Sequence, residues 1–126
     1  MQELDELTYK IRGAIFTVFN ELGPGLLESV YEAALAFELS KIGFKIKTQA
    51  ALPVIYKDIY LELGFRIDIL VENKIIIEIK SVEKLHDVHK KQLLTYLKLA
   101  NKKLGILVNF NVNQLIDKES ILRIIN

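Results

Sequence analysis

The chain has 126 residues, 51% of them apolar and 26% charged, which predicts one compact domain over residues 1–126 and leaves too little length for two ordinary ones. It contains no Cys, which excludes disulfides, thiolate zinc sites and a cysteine nucleophile, so any metal must be held by oxygen or imidazole. A net charge of +1 excludes a surface that traps nucleic acid everywhere by charge, and no apolar run approaches the roughly 18 residues of a membrane span. The opening MQELDELTYK is acidic and polar where a signal peptide would be basic and then apolar, so the expectation is a cytoplasmic protein without a membrane partner.

In chain order, Leu4, Leu7, Ile11, Ala14 or Ile15, Val18 and Leu22 recur at helical spacing and predict an amphipathic helix over 3–22. Gly23-Pro24-Gly25 ends it. A second helix is expected from Leu26 to Ile42, with Tyr31, Leu35, Leu39 and Ile42 as its apolar stripe and Gly43 as its stop. From Phe44 to Leu63 the residues are β-branched and aromatic around Pro53, with a turn at Lys57-Asp58, which predicts a strand pair or a bent strand. Phe65–Val71 and Lys74–Lys80 are the stronger strands, joined through Glu72-Asn73-Lys74. A helix over Leu85–Asn101, an apolar strand over Leu104–Val108 and a short strand near Ile121–Ile125 complete the pattern. This order predicts an α/β sandwich around a mixed sheet.

The two best strands carry charge where a sheet beneath helices should be apolar. Glu78 and Lys80 are two apart and share one strand face, while Ile75, Ile77 and Ile79 take the other. Losing one partner of a buried ion pair costs about 3–5 kcal/mol, so such a pair is either a solvated salt bridge at a strand end or a functional site. Asp68, on the preceding strand, shifts the balance toward the second. Two carboxylates side by side repel unless one is protonated or a cation lies between them. A divalent ion with hard oxygen ligands, magnesium or manganese, resolves the repulsion, and Lys80 could then orient a water or stabilise charge on a phosphate.

Parity constrains this site. A two-residue turn through Asn73-Lys74 would set Asp68 opposite Ile79 and put the two acids on opposite faces, whereas a three-residue loop or a bulge returns them to one face. Glu28 falls on the inward stripe of the second helix, where it can act either as a third acid of the site or as a first-turn charge that favours the helix dipole. Gln92 and Tyr96 are four apart on a helix and share a face with Val88 and Leu99; they can contact phosphate or simply pack. His86 and His89 lack a third ligand at a recognisable spacing and are read as a solvated helix start. Between Lys80 and Lys103 seven lysines face two acids, and Lys90 and Lys91 are the ones closest to Gln92.

These residues resemble a known family. Gly25-Leu26-Leu27-Glu28-Ser29-Val30-Tyr31 matches the GxxExxY signature of the GxxExxY proteins. Asp68 followed by Glu78-Ile79-Lys80 resembles the D…ExK core of the PD-(D/E)XK nuclease superfamily, of which GxxExxY proteins look like a branch. Gln92-Leu93-Leu94-Thr95-Tyr96 is similar to the QxxxY motif of RecB-like nucleases. Ile67 stands where the superfamily's name has Pro. The resemblance runs from about Tyr9 to Ile125. It implies a restriction-endonuclease-like core of helix, three-stranded meander, helix and strand, with an extra helix at the N-terminus. It also implies Asp68, Glu78 and Glu28 as metal-site acids, Lys80 as the catalytic lysine, and Gln92, Tyr96, Lys90 and Lys91 on the substrate side.

The expected function is hydrolysis of DNA phosphodiester bonds with Mg2+ or Mn2+. The rival is a non-catalytic nucleic-acid-binding or regulatory protein that keeps the nuclease fold. With either, the apolar stripe of the first helix could form a homodimer seam or pack on its own sheet.

Overall fold

A computed structural model describes residues 2–61 and 65–126. The last two residues of the expected extended run, Glu62 and Leu63, lie outside the described residues. The elements are α1 (Gln2–Leu22), α2 (Glu28–Ile42), β1 (Ile46–Ala51), β2 (Val54–Tyr56), β3 (Ile59–Leu61), β4 (Arg66–Val71), β5 (Ile75–Lys80), α3 (Asp87–Ala100), β6 (Leu104–Asn109) and β7 (Ile121–Ile125). Lys57 and Asp58 both take positive φ, 48° and 66°, and close β2 onto β3 as a two-residue hairpin.

Five strands form one sheet in the order β1-β4-β5-β6-β7, and β2 with β3 forms a separate ribbon. Only the β5–β6 contact in the main sheet is parallel, because α3 carries the chain back over the sheet between them; the other neighbours are antiparallel. The sheet is therefore mixed and lies between two helical layers. On one face Ile11, Ile15, Tyr31, Leu35 and Leu39 of α1 and α2 pack on Ile69, Ile75, Ile77 and Ile79. On the other, Leu93, Tyr96 and Leu97 of α3 pack on Ile76 and Leu107. With helices on both faces, β5 reads as a continuous apolar run until Glu78 interrupts it.

The apolar stripe of α1 is thus used inside the chain. Ile11, Ala14, Ile15 and Val18 are buried against the chain's own sheet, the second of the two uses expected for that stripe. Three expectations at the helix ends and on α3 change. Leu22 and Ile42 are 36% and 46% exposed, since each ends its helix beyond the packed stretch. Val88 and Leu99 are exposed rather than sharing the buried face of Tyr96. The stripe of α3 that meets the sheet is Leu93, Tyr96, Leu97 and Ala100, at spacings of three and four, and the row from Val88 through Gln92 leaves it obliquely.

Candidate active site

The link between β4 and β5 decides where the acids lie. Val71 carbonyl accepts the Lys74 N–H at 2.9 Å, with Glu72 and Asn73 both in left-handed conformations at φ 52° and 54°, as in a type I′ turn. Yet the strands pair Val71 with Ile75, Leu70 with Ile76 and Ile69 with Ile77, so Lys74 is an extra residue and the loop is three residues long. That parity brings Asp68 opposite Glu78. The regular pairing stops at Ile69 and Ile77, and beyond it the carboxylates take over from the carbonyls: Ile79 N–H donates to Asp68 Oδ2 at 2.8 Å, and Asp68 N–H donates to Glu78 Oε1 at 3.3 Å.

The other neighbour of β4 is also irregular here. Gln49 of β1, opposite Asp68, has φ 51°, and its Nε2 donates to Glu32 Oε1 at 2.5 Å and approaches Asp68 Oδ1 at 3.5 Å. Across this point the strand turns its faces. Ile69 packs in the α1/α2 core, whereas Ile67, two residues earlier, packs with Leu52 and Tyr96 on the α3 side. Asp68 therefore sits half-buried at the twist, between both layers.

Glu78 is 5% exposed, and its carboxyl is pushed up to about 8, first by burial and then by the charge of Asp68. Among the described residues neither acid forms an ion pair. Lys80, on the Glu78 face, instead donates from Nζ to Gln92 Oε1 at 3.3 Å. Tyr96 lies beyond Gln92, its hydroxyl raised by burial and by the charges of Glu78 and Asp68. So α3 brings Gln92 and Tyr96 to the same face as the acids and the lysine. Lys90 and Lys91 are on exposed positions of α3, with Lys90 Nζ 3.7 Å from Asp87. His86 is exposed, but His89 is not simply solvated: it is half-buried, its Nδ1 accepts the His86 N–H at 2.9 Å, and burial and the charge of Lys80 hold it below the ordinary imidazole value.

Glu28 arrives from the first turn of α2. Leu27 precedes the helix without a side-chain cap, and Glu28 Oε2 accepts the N–H of Ser81, the residue after Lys80, at 3.2 Å. Ser81 Oγ donates to Leu26 O at 2.7 Å, so one short segment ties the start of α2 to the end of β5. Tyr31 fixes the approach of the chain. Its ring stacks on Phe110 at 4.4 Å, its hydroxyl donates to Gly23 O at 2.6 Å and accepts from Leu26 N at 3.1 Å. Gly25, with φ 96°, supplies the left-handed turn between them. In the GxxExxY stretch, then, Gly and Tyr hold the loop and Glu faces the end of β5.

Four residues that take part were not singled out in the sequence. Glu32 and Gln49 join Asp68 from α2 and β1, and Ser81 anchors Glu28. Asn109 is 2% exposed and braces the segment after β5 by bonding the N–H and carbonyl of Val82 at 3.0 and 2.9 Å. Only Glu32 left a signal, being one helical turn from Glu28 on the same side of α2.

As for a metal, the donor set is oxygen-only at its centre. Two facing carboxylates without an ion pair suit a magnesium-type ion, which takes one or two protein carboxylates and keeps most of its water. Among the described residues no group of three or more His, Cys, Asp or Glu is placed to hold a metal ion together, so Glu28 does not join Asp68 and Glu78 in one such group. Nor is any described helix long and apolar enough to cross a membrane.

No curated protein and no solved structure matches the chain at a significant level. The family profile of the PD-(D/E)XK nuclease superfamily matches residues 5–124, which runs from the first turn of α1 to the penultimate residue of β7. The chain belongs to the PD-(D/E)XK nuclease superfamily.

Proposed function

We propose that the protein hydrolyses DNA phosphodiester bonds with the help of Mg2+ or Mn2+, acting in the cytoplasm, with Asp68 and Glu78 as the central metal-site acids. The observation that carries this is the exchange of carboxylate–backbone bonds that sets Asp68 and Glu78 face to face beside Lys80. When bound there, a divalent ion would neutralise charge on the phosphate and acidify water. The chain's own residues supply the rest. Lys80, held by Gln92, orients the attacking water and stabilises the negative charge that grows on the phosphorus oxygens. The attacking water bonds to phosphorus through its oxygen and gives up a proton, the bridging P–O bond breaks, and the leaving oxygen takes up a proton, so that the elements of water are added across the bond. Glu28 stands at the end of β5 as the third acid, Tyr96 and Gln92 line the α3 side, and Lys90 and Lys91 meet phosphates further along the strand.

One observation favours the rival reading, a non-catalytic nucleic-acid-binding or regulatory protein: Glu28 is engaged with the Ser81 amide, and a third acid does not close around Asp68 and Glu78. Incubating purified protein with single-stranded, duplex and branched DNA in magnesium, manganese or EDTA separates the two. Ion-dependent cutting supports the enzyme, and metal-independent binding without cutting supports the rival.

A further inference from the structure

Gln49 is out of place in its strand. On either side of it β1 pairs regularly with β4, Thr48 with Ile69 and Ala50 with Ile67. The register is the same before and after the gap, so no residue is inserted, and the displaced one is Gln49 itself, opposite Asp68. Its φ of 51° is left-handed, a conformation that Gly takes freely and that a longer side chain occupies only at a cost. The kink has a use in the fold, since β1 turns its faces here: Ile46 packs with the α1/α2 core and Ala50 with the α3-side core. Glycine would serve that turn better. Nor does packing call for this side chain, because Gln49 is exposed.

What glutamine adds is an amide on a long, unbranched stem. Its Nε2 lies 2.5 Å from Glu32 Oε1 and 3.5 Å from Asp68 Oδ1. Only the nitrogen end of an amide can face two carboxylates, because it carries two N–H donors where the oxygen end would meet both acids with repulsion. The shorter contact, to Glu32, therefore sets which way the amide points. Among the described residues Glu32 forms no three-acid group with Asp68 and Glu78 that could hold a metal ion, so it reaches the site through the amide of Gln49.

On the Asp68 side the amide adds a second constraint. Ile79 N–H holds Oδ2 at 2.8 Å, and one such bond leaves the carboxylate free to pivot about a broad terminal torsion. Gln49 meets Oδ1 and limits the pivot from the other side. The plane in which Asp68 presents its remaining lone pairs is then fixed by both neighbouring strands.

We infer that Gln49 is a positioning residue, anchored by Glu32, whose amide clamps the Asp68 carboxylate in the orientation that receives a divalent ion. This rests on Asp68 being a metal-site acid, as proposed above.

The test is Mn2+ binding by the full chain without DNA, read from the electron paramagnetic resonance signal of the free ion, beside urea denaturation in EDTA. Gln49→Gly relieves the left-handed strain, so its urea midpoint should match or exceed the native one, while Mn2+ binds about tenfold more weakly, the scale on which partners of metal-holding side chains act. Weaker binding without lost stability is an outcome that a purely structural kink does not give. Glu32→Gln keeps an oxygen that accepts from Gln49 and should bind Mn2+ within about threefold of native. Glu32→Ala should lose about as much as Gln49→Gly, and the double variant little more than either, because the two act as one unit. Native Mn2+ affinity in Gln49→Gly overturns the clamp, as does an affinity that falls together with stability. Equal losses in Glu32→Gln and Glu32→Ala, or additive losses in the double variant, overturn it too, by making Glu32 act through its own charge. A native chain that binds no Mn2+ removes the clamp and the metal site together. Cutting of DNA in magnesium keeps this apart from the nuclease reading. Gln49-dependent Mn2+ binding without cutting upholds the clamp and counts against the nuclease; cutting with Gln49-independent Mn2+ binding does the reverse.

Discussion

Asp68 and Glu78 each hydrogen-bond the backbone of the other's strand, Asp68 Oδ2 taking the N–H of Ile79 at 2.8 Å and Glu78 Oε1 taking that of Asp68 at 3.3 Å. The ladder between β4 and β5 is thus continued by side chains where the carbonyls stop pairing. This arrangement fixes the distance between two acids using backbone geometry, and among the described residues it leaves them facing each other without an ion-pair partner.

If those acids and Lys80 form the reacting centre, Asp68→Ala, Glu78→Ala and Lys80→Ala should each lower the rate of DNA cutting at least about a hundredfold, the scale on which single electrostatic groups act in such sites. Circular dichroism should show all three folded. Cutting in EDTA, or full activity of folded Asp68→Ala, would remove the site from consideration.

The raised carboxyl of Glu78 gives a stability signature. In the folded chain it keeps its proton until about 8, whereas unfolded it titrates near 4.5. Between those values the native state binds more protons than the unfolded state, so metal-free stability should fall as pH rises, by at most about 1.4 kcal/mol per pH unit for one group. Glu32, also raised by burial and by Asp68, adds to the same slope, while His89, held low, opposes it. Comparing the native sequence with Glu78→Gln cancels those two, and the native curve should be the steeper. Magnesium should raise the melting temperature of the native protein more than that of Glu78→Gln at pH 8. Equal shifts would refute the site.

Much of this centre was legible from parity. Charges at Glu78 and Lys80 interrupt an apolar run, Asp68 sits on the preceding strand, and strand periodicity alone requires an odd loop if the acids are to meet. The turn supplies it through Lys74, and Asn73 tolerates the left-handed conformation involved. The link of Glu32 and Gln49 to Asp68 was not legible, because it depends on which strand pairs with β4 on its other side and on a left-handed residue inside β1, even though Glu32 lies one helical turn from Glu28. Nothing local marks Gln49 for that conformation. The outward turn of Val88 and Leu99 was hidden for a related reason: an apolar row on a helix fixes a direction only once the crossing with the sheet is known. The β2–β3 turn, by contrast, was readable at Lys57-Asp58.

Tyr31 makes a separate prediction about Glu28. Its hydroxyl bonds both Gly23 O and Leu26 N and so holds the turn that sets Glu28 against Ser81. Tyr31→Phe keeps the stack on Phe110 but leaves both backbone groups without this partner, and should cost about 1–2 kcal/mol in chemical denaturation. If Glu28 serves the reaction, activity at a temperature where the variant is fully folded should fall as well. A stable, fully active Tyr31→Phe protein would reduce the motif's tyrosine to packing.

The last prediction concerns how α3 is seated, since Gln92 and Tyr96 reach the site only from this helix. Gly105 of β6 lies directly beneath Leu93, and a Cβ built there would come within 2.9 Å of a Leu93 methyl and 3.0 Å of its Cγ. Leu93 is fully buried, so it cannot swing into solvent, and Gly105→Ala must push the helix outward or force Leu93 off its rotamer. The cost should be about 1–3 kcal/mol, as for other overpacked cores. Leu93→Ala alone should cost about 2–5 kcal/mol through the cavity it opens. Together, however, the new methyl occupies part of that cavity, so the double variant should be more stable than the sum of the single losses by about 1 kcal/mol or more. Urea denaturation of the four proteins closes this cycle. Lifting α3 also lengthens the 3.3 Å contact between Lys80 Nζ and Gln92 Oε1, so Gly105→Ala should cut DNA more slowly than its stability loss accounts for, and the double variant should recover part of that rate. Additive stabilities would mean that Leu93 is not what the missing side chain at 105 makes room for.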